Sequence, residues 1–421
     1  MASADQAQPR PLSTGGLTFQ ALREPRFRLI WAASWCYYIA RMGELSTLLW
    51  LVLELTDSPS KVALVGVFRT APMFLLGLVI GGLADRLPKL RLIATAQLLN
   101  TAAAGTVLLL LVTDSMQYWY AYVAVFFTGV AWTTDFSCRR LLFSELFAER
   151  RLVNAISLDT AVQTGSNMTG PLMAGVLISL SGFVGAYVGI MLFYFIGFLL
   201  ILFLRMPSLP AATGPAPSPL SQVQALRSLK NDPVIWATLM ITVTLNFFGF
   251  PYMQMVPVIA RDVLGANAAL YGVMASAIGI GAITGSLFIA TGRFHRQGTT
   301  YSLGATLMLV AVFSFSFSQL YPLSVALLFV AGFGMSGFAV MQPILVMQAA
   351  PPGLRGRALG AVALGIGVSP LGIILVGQLA EILGPQTALS ILTGIGILVV
   401  TALRWRYAVL RDKKASLPHG A

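Results

Sequence analysis

Long apolar segments, separated by short polar breaks, constrain the fold of this chain more than any other feature. Twelve such segments follow one another, at 27–53, 62–83, 92–112, 118–140, 155–180, 184–204, 234–260, 271–291, 300–317, 322–348, 358–383 and 386–403. A transmembrane helix needs roughly 20 apolar residues, and only helices and closed barrels satisfy backbone polar groups in lipid. The segments are too long for barrel strands of about ten residues. The sequence therefore predicts an all-α membrane protein with twelve transmembrane helices.

Composition excludes several other classes of protein. Hydrophobic residues make up 57% of the 421 residues and charged residues only 10%, far below the quarter usual for a soluble domain. Both cysteines lie in apolar segments, which leaves no disulfide framework and no multi-cysteine metal site. The chain has no Gly-Lys-Ser/Thr loop of the kind that holds ATP phosphates. We therefore expect no cofactor and a proton gradient as the energy source.

The basic residues divide unevenly between the two ends of the predicted helices. When the even-numbered connections and both termini are taken as one side, that side holds 23 of the 27 Lys and Arg residues. Basic residues favour the cytoplasmic side, so both termini are predicted to be cytoplasmic in a multi-pass protein of a bacterial inner membrane. The net charge of +12 then indicates contact with membrane lipids rather than with nucleic acid.

A proline-rich break at 205–233 divides the chain into two halves of six helices each. Five prolines lie within 207–219 with Ala, Ser and Gly between them, a composition typical of an extended linker. Two helical halves related by an axis along the membrane normal are a known transporter layout. The predicted organisation is a cytoplasmic segment 1–26, halves 27–204 and 234–403, the linker 205–233 and a basic tail 404–421, in a monomer.

A short charged motif connects the second and third segments. It consists of Gly81, Asp85, Arg86, Lys89 and Arg91. The glycine permits close backbone approach, the acid can cap or pair at the mouth of the bundle, and the cations can contact a neighbouring helix end or lipid headgroups. An ordinary cytoplasmic loop rich in basic residues explains the same pattern, and both interpretations stay open.

The motif resembles the loop 2–3 signature of the major facilitator superfamily, whose usual form has Gly where this chain has Pro88. Other stretches resemble the twelve-span bacterial drug and siderophore exporters, a branch that includes macrolide-efflux and enterobactin-exporter-like proteins. These stretches are 22–28, 51–60, 150–156 with the following Gly170-Pro171, and 351–357. The resemblance implies the major facilitator fold, alternating access, and a cytoplasmic gate that includes Asp85 and Arg86.

Charged residues inside the apolar segments cost about 2.5–3.5 kcal/mol each on insertion scales and indicate function by default. They are Arg41, Glu44, Arg69, Asp135 and Asp159, with Arg139 four residues after Asp135. Glu44 and Arg69 have similar predicted depths, which makes a pair between them possible. Static ion pairs that stabilise the first half are one interpretation, and proton coupling or gating is the other. For the second, Glu44 is the preferred coupling residue, and Glu44→Gln is expected to abolish uphill efflux.

The superfamily places its cavity-lining helices at segments 1, 4, 7 and 10, which here carry aromatic and amide side chains. The candidate lining residues are Trp35, Tyr38, Phe127, Asn246, Phe250, Gln254, Phe338 and Gln342. Such surfaces suit bulky, partly apolar ligands. Lipid contact or ordinary packing is expected to explain at least half of the aromatic and polar residues in these segments.

Small-residue patterns in the chain are expected to serve helix packing. Gly77 and Gly81, like Gly281 and Gly285, have the spacing of close helix contacts. The run 332–337 fits a dinucleotide-loop pattern but lies in mid-segment with no strand before it, which favours packing again. The triplet 167–169 has the form of a glycosylation site, yet it lies inside the fifth segment.

These observations predict a secondary active transporter that exports a bulky amphipathic small molecule, of drug or siderophore type, in exchange for protons. Uptake of a small metabolite by symport is the alternative in the same class, and a non-transporting receptor or scaffold is the alternative in another. An enzyme is not expected, because no apolar segment contains a histidine and the intramembrane charges form no recognisable catalytic set.

Overall fold

The computed structural model describes residues 20–147, 149–204, 232–291, 296–350 and 354–411. This part of the chain forms twelve helices that cross the bundle, and the predicted fold class is confirmed. The first six are α1 (Pro25–Thr56), α2 (Pro59–Arg86), α3 (Lys89–Val112), α4 (Tyr118–Leu146), and α5 and α6, which together make up Glu149–Leu202. The last six are α7 (Pro233–Val263), α8 (Ala268–Ala290), α9 (Gln297–Phe315), α10 (Tyr321–Ala349), α11 (Arg355–Ile366 with Ser369–Leu383) and α12 (Pro385–Arg406).

We name α1–α6 the N-half and α7–α12 the C-half. The side of the bundle at which Pro25 and Arg406 lie is the terminal side, and the opposite side is the distal side. Most of the predicted cytoplasmic segment 1–26, nearly all of the linker 205–233 and most of the tail 404–421 fall outside the described residues. The terminal side is the one predicted to face the cytoplasm.

Nine helical segments of the described chain are long and apolar enough to cross a membrane, and one of these contains both α5 and α6. The two crossing helices that are not among the nine are α1 and α4. These helices carry Arg41, Glu44, Asp135 and Arg139. Buried charges therefore concentrate on the two least apolar helices of the bundle.

The helix starts and the reversal between α5 and α6 follow from local sequence. Pro233 occupies the first turn of α7, and the Asp232 carboxylate accepts hydrogen bonds from Val234 N and Ile235 N at 2.8 and 3.1 Å. Proline lacks the N–H that would be unsatisfied there, and a capping oxygen satisfies others. Gly182 separates α5 from α6 with φ of 66°, a conformation that strains residues with a Cβ atom.

The two halves pack through α5 against α8 and through α2 against α11. Small residues allow this approach on the distal side. A Cβ atom on Gly175 would lie 2.5 Å from Ala268 O, and one on Gly377 would lie 2.6 Å from the Ala63 Cβ. Helices that cross at such distances exclude water and larger side chains, so the halves are closely joined distally.

The glycine patterns of the sequence have two different outcomes. Packing is confirmed for Gly281, where a Cβ atom would meet Phe329 O, and for Gly285, where it would meet Ser336. Gly332, in the run that mimics a dinucleotide loop, likewise packs against Ile278 O. For Gly77 and Gly81 the packing prediction is wrong in this structure, since no atom of the described part of the chain lies within 4 Å of a Cβ atom built at either position. They face open space because α2 diverges from the C-half towards the terminal side.

Candidate functional site

A cavity of about 330 Å³ lies between the two halves, and we name it the central cavity. Its N-half wall comes from α1, α2, α4 and α5, and its C-half wall from α7, α8, α10 and α11. Polar and aromatic lining residues are Arg41, Ser46, Arg69, Thr70, Trp132, Asn167, Asn246, Phe250, Gln254, Tyr271 and Ser369; Met42, Met253 and Met335 also contribute. Mixed apolar and polar walls of this kind are usual for small-molecule sites.

Two guanidinium groups face the central cavity. The Arg41 guanidinium lies over the Trp132 ring, 4.5 Å from its centroid, in a cation–π contact. Arg69 Nη2 donates to Met42 Sδ at 3.9 Å, which is a weak acceptor. Neither arginine has a carboxylate within 4 Å among the described residues. The pair between Glu44 and Arg69 that their similar depths make possible is therefore not formed.

Glu44 turns away from the cavity instead. Its Oε2 atom accepts a 2.7 Å hydrogen bond from the Tyr194 hydroxyl of α6, and its Oε1 atom is buried without a partner. The side chain is only 2% exposed. The sequence gives Glu44 and Arg69 similar depths, but rotation of α1 about its axis directs this carboxylate towards α6 rather than towards α2.

The remaining intramembrane charges form one buried network on the terminal side of the N-half, which we name the charged cluster: Ser34, Asp135, Arg139 and Asp159. Arg139 Nε and Nη2 donate to the two oxygens of Asp135 at 2.8 and 2.6 Å, as the i,i+4 spacing permits. Arg139 Nη1 also donates to Ser34 Oγ, which in turn donates to Asp159 Oδ1 at 2.7 Å. The Arg139 guanidinium therefore binds the Asp135 carboxylate directly and is connected to the Asp159 carboxylate of another helix through the Ser34 hydroxyl.

The distal side of the central cavity is closed by contacts between the halves. Arg261 of α7 forms a 2.8 Å ion pair with Asp57 and donates to Leu53 O at 3.0 Å, both at the distal end of α1. Glu381 of α11 accepts from Ser58 Oγ at 2.8 Å and from Ser60 N at 3.1 Å, at the start of α2. A carboxylate at a helix N-terminus is electrostatically favourable.

Towards the terminal side the halves separate. In the described part of the chain, the hydrogen bonds and ion pairs that join the halves lie on the distal side or at mid-depth. The one furthest from the distal side is the hydrogen bond that Ser276 Oγ donates to Met168 O at 2.7 Å. Gly81 of α2 and Gly360 of α11 both face open space. The central cavity is therefore closed distally and accessible from the terminal side.

The charged motif, which runs from the end of α2 to the start of α3, makes one ion pair that the structure describes. Lys89 forms a 2.6 Å ion pair with Glu145 near the terminal end of α4, while Arg86 and Arg91 are exposed. Asp85 lies in the last turn of α2, and its side chain is outside the described part. Its role in a gate stays a prediction.

The candidate lining residues lie at three kinds of position. Asn246, Phe250 and Gln254 of α7 lie on the central cavity. Tyr38 borders a small separate cavity that it shares with Arg139 and Asp159. The others lie elsewhere: Trp35 packs on Gly165, Phe127 is exposed on the outer surface, Phe338 stacks on Tyr301, and Gln342 bonds to Thr242.

Sequence reasoning missed several cavity residues. Asn167 was noticed only as part of a glycosylation triplet, yet it lines the central cavity beside Trp132 of α4 and Tyr271 of α8. An amide inside an otherwise apolar helix was the available signal for Asn167. Nothing in the sequence separates Trp132 and Tyr271 from the many aromatic residues that pack elsewhere.

Comparison with known proteins agrees with this architecture. A family model described as "Transmembrane secretion effector" matches residues 17–419. The Staphyloferrin A transporter of Staphylococcus aureus (strain NCTC 8325 / PS 47) is 20% identical over 364 residues, which cover 84% of this chain and 88% of that protein. The match therefore extends over nearly the whole length of both chains.

Solved transporter structures share the fold at low sequence identity. An inward-facing, occupied bacterial homolog of the human lysosomal transporter Spinster aligns with a TM-score of 0.73 at 12% identity, over 94% of this chain and 99% of the other. The nucleoside transporter NupG aligns with a TM-score of 0.67 at 17% identity, over 93% and 100% of the two chains.

Proposed function

The chain belongs to the transmembrane secretion effector family of the major facilitator superfamily, and we propose that it exports a bulky amphipathic compound by alternating access, driven by proton entry. The observation that carries this proposal is the central cavity, which lies between two six-helix halves and is closed on one side only. The family description supports export over uptake. Transport, rather than catalysis, is its general activity.

The direction of export requires a defined orientation in the membrane. If the terminal side is cytoplasmic, as the basic residues predict, the structure has its central cavity open to the compartment from which an exporter loads. Ser115, in the distal connection between α3 and α4, and Arg151, on the terminal side, are both exposed. In a variant without native cysteines, Ser115→Cys should react with an impermeant maleimide added to intact cells, and Arg151→Cys should not. The reverse result would overturn the orientation.

For proton coupling we favour Asp159 over Glu44. A coupling carboxyl group must exchange its proton with water, and Asp159 borders a small cavity on the terminal side, whereas Glu44 is enclosed between α1 and α6. In the charged cluster, the Arg139 guanidinium pairs directly with Asp135 and reaches Asp159 only through the Ser34 hydroxyl, so the cluster holds two carboxylates and one cation. A proton on Asp159 balances the remaining negative charge, and buried charges need such compensation.

Reconstitution into liposomes tests the transport function. Three fluorescent probes share a dansyl body and differ in charge: dansylglycine, its neutral amide and dansylethylenediamine. An imposed pH gradient should drive at least one of them against its concentration gradient, and nigericin should stop this movement. If none of the three moves faster than in protein-free liposomes, the proposal is wrong.

A further inference from the structure

We propose that the central cavity recognises an anionic group through Arg41 and Arg69, which makes amphipathic organic anions, such as aromatic or aliphatic carboxylates, the substrate class. This inference rests on the proposed transport function and names the chemistry of the same site. The cations of this site are supplied by α1 and α2, which both belong to the N-half.

The charge balance of the central cavity carries the inference. Its lining includes two arginines and, within the described part of the chain, no aspartate or glutamate. The carboxylates that could neutralise these arginines have other partners: Glu44 accepts a hydrogen bond from Tyr194, and Asp135 pairs with Arg139. Two like charges in a membrane-embedded cavity are unfavourable until an opposite charge joins them. An anionic ligand supplies that charge.

The donor geometry of the two arginines fits a carboxylate. A guanidinium carries five N–H donors in a planar fork that matches carboxylate oxygens. Trp132 covers one face of the Arg41 guanidinium, which leaves its N–H edges available. The thioether sulfur of Met42 is the one acceptor recorded for Arg69 among the described residues. Both groups therefore retain N–H donors without an oxygen acceptor.

Other cavity atoms extend the recognition beyond charge. Trp132 and Gln254 line the cavity, and each has one buried polar atom, Nε1 and Oε1 respectively, without a hydrogen-bond partner among the described residues. These residues hold an unused donor on the N-half wall and an unused acceptor on the C-half wall. Phe250, Met253 and Met335 supply an apolar surface opposite the arginines. A ligand with an anionic end, a polar N–H or O–H group and an apolar body complements this arrangement.

Binding of the dansyl probes to purified protein tests the inference directly. Dansylglycine carries a carboxylate, its amide is neutral, and dansylethylenediamine carries an ammonium group on a chain of similar length. Dansylglycine should bind at least about tenfold more tightly than the amide, since charge-assisted hydrogen bonds are about twice as strong as neutral ones. The ammonium probe should bind more weakly than the amide.

Variants of Arg41 and Arg69 test whether these arginines cause the preference for the carboxylate probe. Arg41→Gln and Arg69→Gln should each weaken dansylglycine binding roughly tenfold and leave binding of the amide almost unchanged. Arg41→Lys should retain part of the affinity, because it keeps the charge and loses the planar fork. Arg28→Gln is the matched control, since Arg28 is an exposed residue on the same helix, far from the cavity. Thermal unfolding checks that each variant is folded.

The outcomes separate this inference from the proposed function. The anion inference is supported if dansylglycine binds more tightly than the other two probes and if this preference is lost when either arginine is replaced. Equal or tighter binding of the amide or the ammonium probe overturns it, and so does unchanged dansylglycine binding in a folded Arg41→Gln, Arg69→Gln double variant. If the ammonium probe is transported uphill while dansylglycine fails to bind, the transporter remains and the anion specificity is wrong. If no probe is transported, the transport proposal itself fails.

Discussion

The N-half and the C-half have the same number of helices but different polar interiors. The N-half contains a charged cluster in which Arg139 connects Asp135 to Ser34 and Asp159. The C-half contains a neutral network, where Gln342 Nε2 donates to Thr242 Oγ1 at 2.7 Å and Tyr301 OH donates to Thr238 O at 2.8 Å. Among the described residues, the buried charged side chains therefore lie in the N-half.

The C-half differs also in the regularity of its helices. Within α7, two π-helical segments at Leu245–Gly249 and Ile259–Val263 flank a short helix that contains Pro257. In α11, the helix is interrupted between Ile366 and Ser369. Interruptions of this kind at membrane depth are tolerated where they line a cavity. In the proposed mechanism, the N-half therefore binds the charged group of the substrate and the C-half provides the adaptable wall of the cavity.

The largest effect is expected when a residue of the charged cluster is replaced, because the charged cluster should contribute more to the free energy of unfolding than the neutral network of the C-half. Arg139→Gln leaves the buried Asp135 carboxylate without its cation and should lower the free energy of unfolding by about 3–5 kcal/mol. Gln342→Met removes one neutral hydrogen bond and should cost only about 1 kcal/mol. Unfolding of both variants in detergent measures the difference. Adding Asp135→Asn to Arg139→Gln should restore part of the loss, and equal costs for the two single variants would break the comparison.

The second prediction separates the carboxyl groups of the N-half. Asp159→Asn should reduce pH-driven uphill flux of a transported dansyl probe to background while preserving downhill exchange, because the proton site is lost but the cavity is intact. Glu44→Gln should keep uphill flux, since Tyr194 can donate to an amide oxygen as it does to the carboxylate. Both fluxes are measured in liposomes at equal protein content. The opposite assignment, with Glu44→Gln inactive and folded, would return the coupling role to Glu44.

The third prediction compares a closely packed glycine of the C-half, Gly281, with a glycine of the N-half that faces open space, Gly77. Gly281→Ala introduces a Cβ atom against Phe329 O and should destabilise the protein by roughly 1–3 kcal/mol through overpacking. Gly77→Trp faces open space in this state and should fold normally, yet it should block closure of α2 onto the C-half. Its expected signature is ordinary probe binding without transport. Normal transport by Gly77→Trp would show that the terminal side closes without this surface.

The smallest effect concerns the distal contact between the halves. Asp57 is 80% exposed in its pair with Arg261, and such pairs contribute about 0.2–1 kcal/mol. Arg261→Gln should therefore raise the distal accessibility of the cavity by no more than about fivefold. Labelling of Thr70→Cys by an impermeant maleimide from the distal side, with Cys36 and Cys138 replaced by Ser, measures it. Arg28→Gln is the control, and a change above tenfold would mean that this pair dominates closure.

The sequence alone predicted the class of protein, the twelve crossings and the concentration of charge in the first half. These features are local: the length of an apolar run and the cost of a charge in lipid depend on neighbouring residues and on the solvent. The Asp135–Arg139 pair was accessible for the same reason, since a spacing of four places both residues on one helix face. The cavity position of Asn246, Phe250 and Gln254 came from the family resemblance rather than from spacing.

Only the tertiary structure decided which polar groups meet. Arg139 reaches Ser34 across 105 residues, Ser34 reaches Asp159 across 125, and Glu44 reaches Tyr194 across 150. Such pairs depend on the rotation of each helix about its axis and on its tilt, which the packing of neighbouring helices sets. The depth of a residue in the membrane can be counted from the sequence at about 1.5 Å per residue. The direction in which its side chain points around the helix axis, relative to the neighbouring helices, cannot be read from the sequence. This is why Glu44 and Arg69 match in depth and yet face different neighbours.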